Sequence, residues 1–463
     1  MPRPRILFAF SITALIALAW AAYRPALETF FLNEDFIWLY RCRLNEQQSL
    51  SDLLTRDVMV GSYSWRPLVQ AWFGLNFAWL GWNAFGYHLQ AWALHVATAL
   101  FLYLLAVTWR GHRFALLCAT LFAVHPAHVE SIAWASAIGG PLSSLPMVAA
   151  LYVWQQQCRA SSGTTLLASG VATLLFLAAL AAQENALVFL VWLPLFSTQF
   201  GDARHIKTRT AILWFVLLLT AVIFGLVRSW ESPAAWSPPA AALPFGSQAA
   251  WYHSLMHVAQ NLARAFDRLV LIPGVGVPFH LVAAGVAGWR AIRGDWLPAV
   301  ASVCFLAALL PYTTLFFGVA PRYLHLPLVA WAIGIASLLW PVAQPAHPIR
   351  PAFVACLLVA WFAVLLPRIH DETERFARRS AATLSLLGAI RRALPAAPSG
   401  AELAFAGLGE WRLQHDAFVF GLEEAVRLVY QDSTLRVRFV PLGASVPGAM
   451  LLIWDGEHFR VGS

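Results

Sequence analysis

The chain has 463 residues, 60% of them hydrophobic, with 22 tryptophans and only 12% charged residues; its mean hydropathy is +0.64. Soluble domains run nearer ~45–50% apolar, so the composition excludes an ordinary soluble protein and indicates a polytopic membrane protein. The net charge of +8 does not mark a nucleic-acid binder, because the basic residues fall between apolar runs, where the positive-inside rule places them.

In chain order, the basic start Met1–Arg5 and the apolar run Ile6–Ala22 resemble a signal peptide, but Tyr23-Arg24-Pro25 is a poor cleavage site, so a retained signal anchor is expected. Apolar runs predict about eleven spanning helices, near 6–22, 86–108, 113–124, 143–157, 164–181, 185–199, 210–228, 268–290, 297–314, 325–340 and 352–368. The clusters Arg3/Arg5, Arg110/Arg113, Arg159, Arg204/Lys207/Arg209, Arg290/Arg293 and Arg350 then share one side, which predicts a cytoplasmic N-terminus and an external C-terminus. Residues 23–85 form a long first external loop and 229–267 a second. The fold class expected is an all-α polytopic bundle over 1–368, with a small extracytoplasmic α/β domain over 369–463, in a bacterial inner membrane. In that tail, Thr383–Leu394 and Leu422–Tyr430 read as short helices and Leu435–Val440 as a strand.

Five groups of residues have the makings of a site. Glu34–Asp35, in Phe31-Leu32-Asn33-Glu34-Asp35-Phe36, follows the first span; a carboxylate there serves either as general base for a hydroxyl or as the partner of an arginine. Arg66-Pro67-Leu68, after Ser64-Trp65 and ahead of Asn83, His88 and His95, offers a guanidinium at the membrane face, either for phosphate or as an interfacial anchor. In His125-Pro126-Ala127-His128-Val129-Glu130-Ser131-Ile132-Ala133-Trp134, Pro126 suits the first turn of a helix, and His125 and His128 fall three apart, a spacing that lets both face one ligand. HxxH alone is a weak metal signal, and Glu130 lies off that face. Gln183-Glu184-Asn185 is a polar hairpin, and Pro321-Arg322-Tyr323 opens the tenth span with a phosphate-competent arginine. The five cysteines (Cys42, Cys118, Cys158, Cys304, Cys356) form no CxxC pair. No P-loop or nucleophile elbow is present. No metal ligand is assigned, and a divalent metal stays open.

Taken in order, Glu34/Asp35, Arg66-Pro67-Leu68, Asn83 through His88 and His95, His125-Pro126-x-His128-Val129-Glu130-Ser131-Ile132-Ala133-Trp134, Glu184 and Arg322-Tyr323-Leu324-x-Leu326-Pro327 resemble the polyprenyl-phosphate-sugar-dependent glycosyltransferases of the GT-C superfamily. Within it the likeness is to the protein O-mannosyltransferase-like branch, including its tetratricopeptide-repeat members, and it covers about residues 6–340. The resemblance implies an inverting hexosyl or pentosyl transferase working outside the membrane. It implies a polyprenyl-phosphate-linked sugar as donor, a membrane-lipid environment, and an acceptor protein, glycan or lipid. By motif position the catalytic role falls on Asp35, with Glu34 beside it; Arg322, Tyr323 and Arg66 meet the donor phosphate; His125, His128, Glu130, Glu184 and His88 line the substrate site. The family's Lys-Glu is Gln183-Glu184 here, the acidic residue before Arg-Tyr is Pro321, and no tetratricopeptide array follows. A lipid-linked-glycan flippase is the alternative function.

Overall fold

The computed structural model describes residues 4–59, 65–160, 165–200, 204–231, 248–315, 318–340, 349–444 and 446–462. Ser64, Arg3 and the 232–247 stretch of the second loop lie outside them. Helix α1 (Pro4–Tyr23) leads into a 3-10 turn, Arg24–Glu28, and then into the first loop, which is itself helical: α2 (Asp35–Arg41), α3 (Leu50–Thr55) and α4 (Pro67–Leu80). Local chemistry explains these starts. Ser49 and Asp52 form a reciprocal capping box at α3, and Pro67 occupies the first turn of α4, where its missing N–H costs nothing.

The bundle follows with α5 (Ala84–Arg110), α6 (His112–Ala123), the short α7 (His128–Ala133), α8 (Gly139–Arg159), α9 (Thr165–Ala182), α10 (Phe189–Ser197), α11 (Arg204–Glu231), α12 (Gln248–Val270), α13 (Gly276–Ile292), α14 (Leu297–Thr313) and α15 (His325–Leu339). Gly111 at φ +82° turns the chain from α5 directly into α6, a backbone state that glycine enters without a Cβ penalty. The helix expected over 268–290 is instead two: α12 ends at Val270, and α13 starts at Gly276, whose missing Cβ leaves room for the Phe266–Asp267 backbone.

Five segments are long and apolar enough to cross a membrane: Phe8–Glu28, Ala84–Arg110, Ala135–Arg159, Ile206–Glu231 and Pro321–Leu339. Shorter apolar helices cover His112–Ala123, Leu166–Ala182, Glu184–Ser197 and Leu297–Thr313. The chain is thus built for a membrane, but the described helices do not by length alone amount to eleven spans. The expected second loop contains most of α12, an amphipathic helix that an apolar-run search passes over.

Helix α16 (Ile349–Ala393) runs unbroken through 368–369, the boundary expected between bundle and tail, and absorbs the helix expected at Thr383–Leu394. The α/β unit begins beyond it: β1 (Glu402–Ala406), α17 (Gly409–His415), α18 (Leu422–Tyr430), β2 (Arg436–Val440), β3 (Met450–Trp454) and β4 (Phe459–Gly462). The sheet order is β2-β1-β3-β4; β1 is parallel to β2 and β3, and β4 is antiparallel to β3.

The described residues form two apolar cores. One fills the bundle, around Phe122, Trp154, Trp192 and Leu328. The other joins the first loop to the tail: Phe31, Phe36, Trp38 and Phe73 pack in one cluster with Leu386, Phe405, Phe418 and Trp454. Burying each such side chain contributes roughly 1.5–3 kcal/mol, so the tail unit and the loop carrying Glu34–Asp35 stabilise one another.

Candidate active site

Three of the loop arginines, Arg110, Arg159 and Arg290, gather at one end of the bundle and the singled-out motifs at the other. At the first end Arg110 and Arg290 share Asp295, both also reach the Trp340 carbonyl, and Arg159 donates to the Thr108 carbonyl. At the opposite end lie Glu34, Arg66, Glu130, Glu184 and Arg322.

The two acidic neighbours differ sharply there. Asp35 is fully buried. Its Oδ2 accepts from the Leu32 N–H at 2.8 Å, and its Oδ1 accepts from the Ser136 N–H at 2.7 Å and from the Ser136 hydroxyl. Burial pushes its carboxyl up to about 7, against the opposing pull of those donors. The Glu34 side chain is only partly buried and makes no hydrogen bond or ion pair among the described residues. Burial raises its carboxyl too, while Arg322 and Arg66, and more weakly Arg379, pull it back down and Glu130 opposes them. Glu34 therefore lies within electrostatic reach of the cationic groups, and Asp35 locks the turn that carries it.

Two ion-pair systems surround Glu34. Arg322 lies in the 3-10 turn Pro321–Leu324; its guanidinium pairs with Glu130, and its backbone N–H donates to the same carboxylate at 3.0 Å. The Trp134 and Tyr323 rings lie 4.9 and 4.8 Å from its carbon, a cation–π clamp. Arg66, at the start of α4, donates to Glu184 at 3.1 Å, and Arg228 at the end of α11 takes the other Glu184 oxygen at 2.8 Å. One carboxylate thus serves two guanidiniums and leaves positive charge in excess. Tyr312 stacks on Tyr323 at 4.7 Å and accepts from Gln183 at 2.5 Å. Beside Glu130 a cavity of about 410 Å³ opens between α7, α12 and α16, with Arg268, Arg368, Arg375 and Arg379 on its walls.

The histidines do not reach this surface. His88 is fully buried with its ring nitrogens on the Ile132 carbonyl (2.8 Å) and the Thr29 hydroxyl (3.3 Å). His125 is fully buried on the Leu269 carbonyl at 3.2 Å and accepts from the Ala127 N–H. The expectation that His125 and His128 face one ligand fails: their ring centroids are 6.2 Å apart, and the nitrogens of His125 are already engaged. The helix expected to start at Pro126 starts at His128, and the N–H groups of His128 and Val129 are taken by the His125 and Pro126 carbonyls, so no free helix end points outward. Sequence reasoning missed Trp134, Ser136 and Arg228. Trp134 sat inside the quoted motif; Ser136 and Arg228 had no signal beyond polarity beside an apolar run.

No family model matches the chain. A 126-residue segment, 25% of the chain, is 36% identical to the Drosophila melanogaster protein O-mannosyl-transferase Tmtc1 and spans 15% of that protein's length. In three dimensions the chain is similar to ArnT from Cupriavidus metallidurans, solved with undecaprenyl phosphate: TM-score 0.57 and 12% identity, covering 96% of this chain and 93% of that one. It is also similar to the Archaeoglobus fulgidus oligosaccharyltransferase AglB, solved with an inhibitory peptide and a dolichol-phosphate: TM-score 0.53 and 10% identity, covering 96% of this chain and 65% of that one. The chain has the fold of these GT-C glycosyltransferases, and its sequence resembles the O-mannosyltransferase-like branch.

Proposed function

We propose that the protein is an integral-membrane glycosyltransferase that moves a sugar from a polyprenyl-phosphate donor to a hydroxyl acceptor at the motif-bearing end of the bundle, the extracytoplasmic face in the topology expected from its charges. The observation that carries this reading is Glu34: a partly exposed carboxylate, without a hydrogen-bond or ion-pair partner among the described residues, within electrostatic reach of Arg322 and Arg66. Sugar transfer from a monophosphate needs a base for the acceptor hydroxyl and positive charge for the departing phosphate.

Glu34 takes the acceptor proton as the hydroxyl oxygen attacks the anomeric carbon from the face opposite the phosphate, which inverts the configuration. Asp35 positions Glu34 through the turn it holds. Arg322, oriented by Glu130 and Tyr323, meets the phosphate with its remaining N–H groups, and Arg66 adds charge from the other side. Residues of the arginine-walled cavity flank the acceptor. His88 and His125 support the site by packing.

The experiment is transfer from a radiolabelled polyprenyl-phosphate sugar by the purified chain. Glu34→Gln is expected to lower turnover by about 10²–10⁴ with donor binding retained. Undiminished transfer overturns the assignment. Carrier movement across liposomes without glycosidic cleavage would instead establish the flippase.

A further inference from the structure

His95 on α5, His128 on α7 and His325 on α15 are all fully buried, and one nitrogen from each falls within 4.8 Å of the others. The ring centroids lie 4.5 Å (His95–His128), 4.7 Å (His128–His325) and 5.4 Å (His95–His325) apart. Neither nitrogen of His128 makes a hydrogen bond of good geometry among the described residues; the Phe122 carbonyl is its one near acceptor there. A neutral imidazole has one donor and one acceptor, and leaving buried polar groups unmade costs about 1–3 kcal/mol each. Packing alone gives no reason for such an orphan in the middle of two other imidazoles.

The outer hydrogen bonds fix what the inner nitrogens present. The Nε2 of His95 meets the Ala123 carbonyl at 2.9 Å, so it carries the proton and Nδ1 turns a lone pair inward. The Nδ1 of His325 meets the Ser144 hydroxyl at 2.9 Å, leaving Nε2 facing His95 Nδ1 at 3.2 Å. That spacing matches the ~3.3 Å edge of a tetrahedron with metal–nitrogen bonds of ~2.0–2.1 Å. Outer N–H groups given to a carbonyl or hydroxyl are the usual support of metal-bound imidazoles.

We propose that His95, His128 and His325 form a buried site for one divalent transition metal ion of the zinc class, with a water or hydroxide completing the coordination. Three imidazole nitrogens suit zinc and disfavour magnesium and calcium, which take oxygen ligands. Phe122, 4.6 and 5.0 Å from the His128 and His95 rings, closes the site on one side. The ion ties α5, α7 and α15 together. His128 stands two residues before Glu130 and His325 three after Arg322, so it also anchors both segments of that ion pair.

The test uses the full chain purified in detergent without a polyhistidine tag. Elemental analysis is expected to find about one zinc-class ion per chain, and the stripped protein reloaded with Co²⁺ is expected to show the visible ligand-field bands of four-coordinate cobalt. In a Zn²⁺ titration His128→Gln and His325→Gln lose at least about tenfold in affinity, while His280→Gln, which is not one of the three ligands, keeps it. Because the first two measurements use the unaltered chain, a variant that fails to fold does not blunt the test. Absence of both bound metal and cobalt bands in the monodisperse protein overturns the proposal, as does a folded His128→Gln variant with unchanged Zn²⁺ affinity.

Discussion

Glu34 and Asp35 are adjacent in sequence and opposite in environment. Asp35 is enclosed by the Leu32 and Ser136 donors, with its carboxyl raised to about 7. A carboxyl whose pKa is higher folded than unfolded binds its proton more tightly in the native state, so its contribution to stability falls as pH rises between the unfolded value of ~4 and about 7. The melting temperature in detergent is expected to decline across that window in the unaltered protein. In Asp35→Asn the decline flattens, on a lower baseline, because an amide cannot accept from both donors; the loss is about 1–3 kcal/mol. At Arg322 one guanidinium nitrogen pairs with Glu130 and another reaches the Tyr323 hydroxyl, between two aromatic faces, a divided planar contact that a lysine cannot reproduce. Arg322→Lys is expected to lower sugar transfer by about 10²-fold although the charge is kept, a result read from initial rates at saturating donor.

At the scale of elements, the acidic turn is held from outside by the tail. Asn33 sits at φ +42°; its Oδ1 accepts from the Val419 N–H at 3.0 Å, and its amide donates to the Asp416 carbonyl at 3.3 Å. Gly421 stands at φ +81°, against the Asn33 carbonyl, where a Cβ would collide with backbone. Gly421→Ala therefore has both a strained dihedral and a blocked contact. It is expected to cost about 1–3 kcal/mol and to lower transfer without touching a charged side chain, checked by thermal unfolding alongside activity. Two elements of the tail were legible beforehand: Leu422–Tyr430 is α18 as expected, and the strand expected at Leu435–Val440 is β2. The break at 271–275 was not, because an apolar run continues through a turn that only packing against Phe266 and Asp267 requires. Nor was the continuity of α16, where the domain boundary expected at 368–369 falls inside one helix: Asp371, Glu374 and Arg375 are exposed on it while Thr373 is buried.

For the whole molecule, the second core makes the tail part of the structure that holds the candidate site. Phe36 stacks on Phe418 at 5.2 Å, and Arg41 reaches Glu424. Removing residues after Ala393 is expected to bare Phe31, Phe36 and Trp38, to open the 29–42 segment to protease, and to abolish transfer while α1–α15 remain helical by circular dichroism. Retained transfer by the truncated protein would show that the bundle alone positions Glu34.

Sequence alone determined the apolar segments, the small α/β tail and the set of polar motifs, since these depend on local period, turn chemistry and the cost of charge in lipid. Tertiary structure alone decided which of those polar groups meet. It paired Glu130 with Arg322 across 192 residues, set Glu184 between Arg66 and Arg228, buried Asp35 while leaving Glu34 partly exposed, and drew three histidines from three helices to one point. A side chain's neighbours, and hence its charge state and task, come from packing between segments far apart in the chain, which no local pattern of residues encodes.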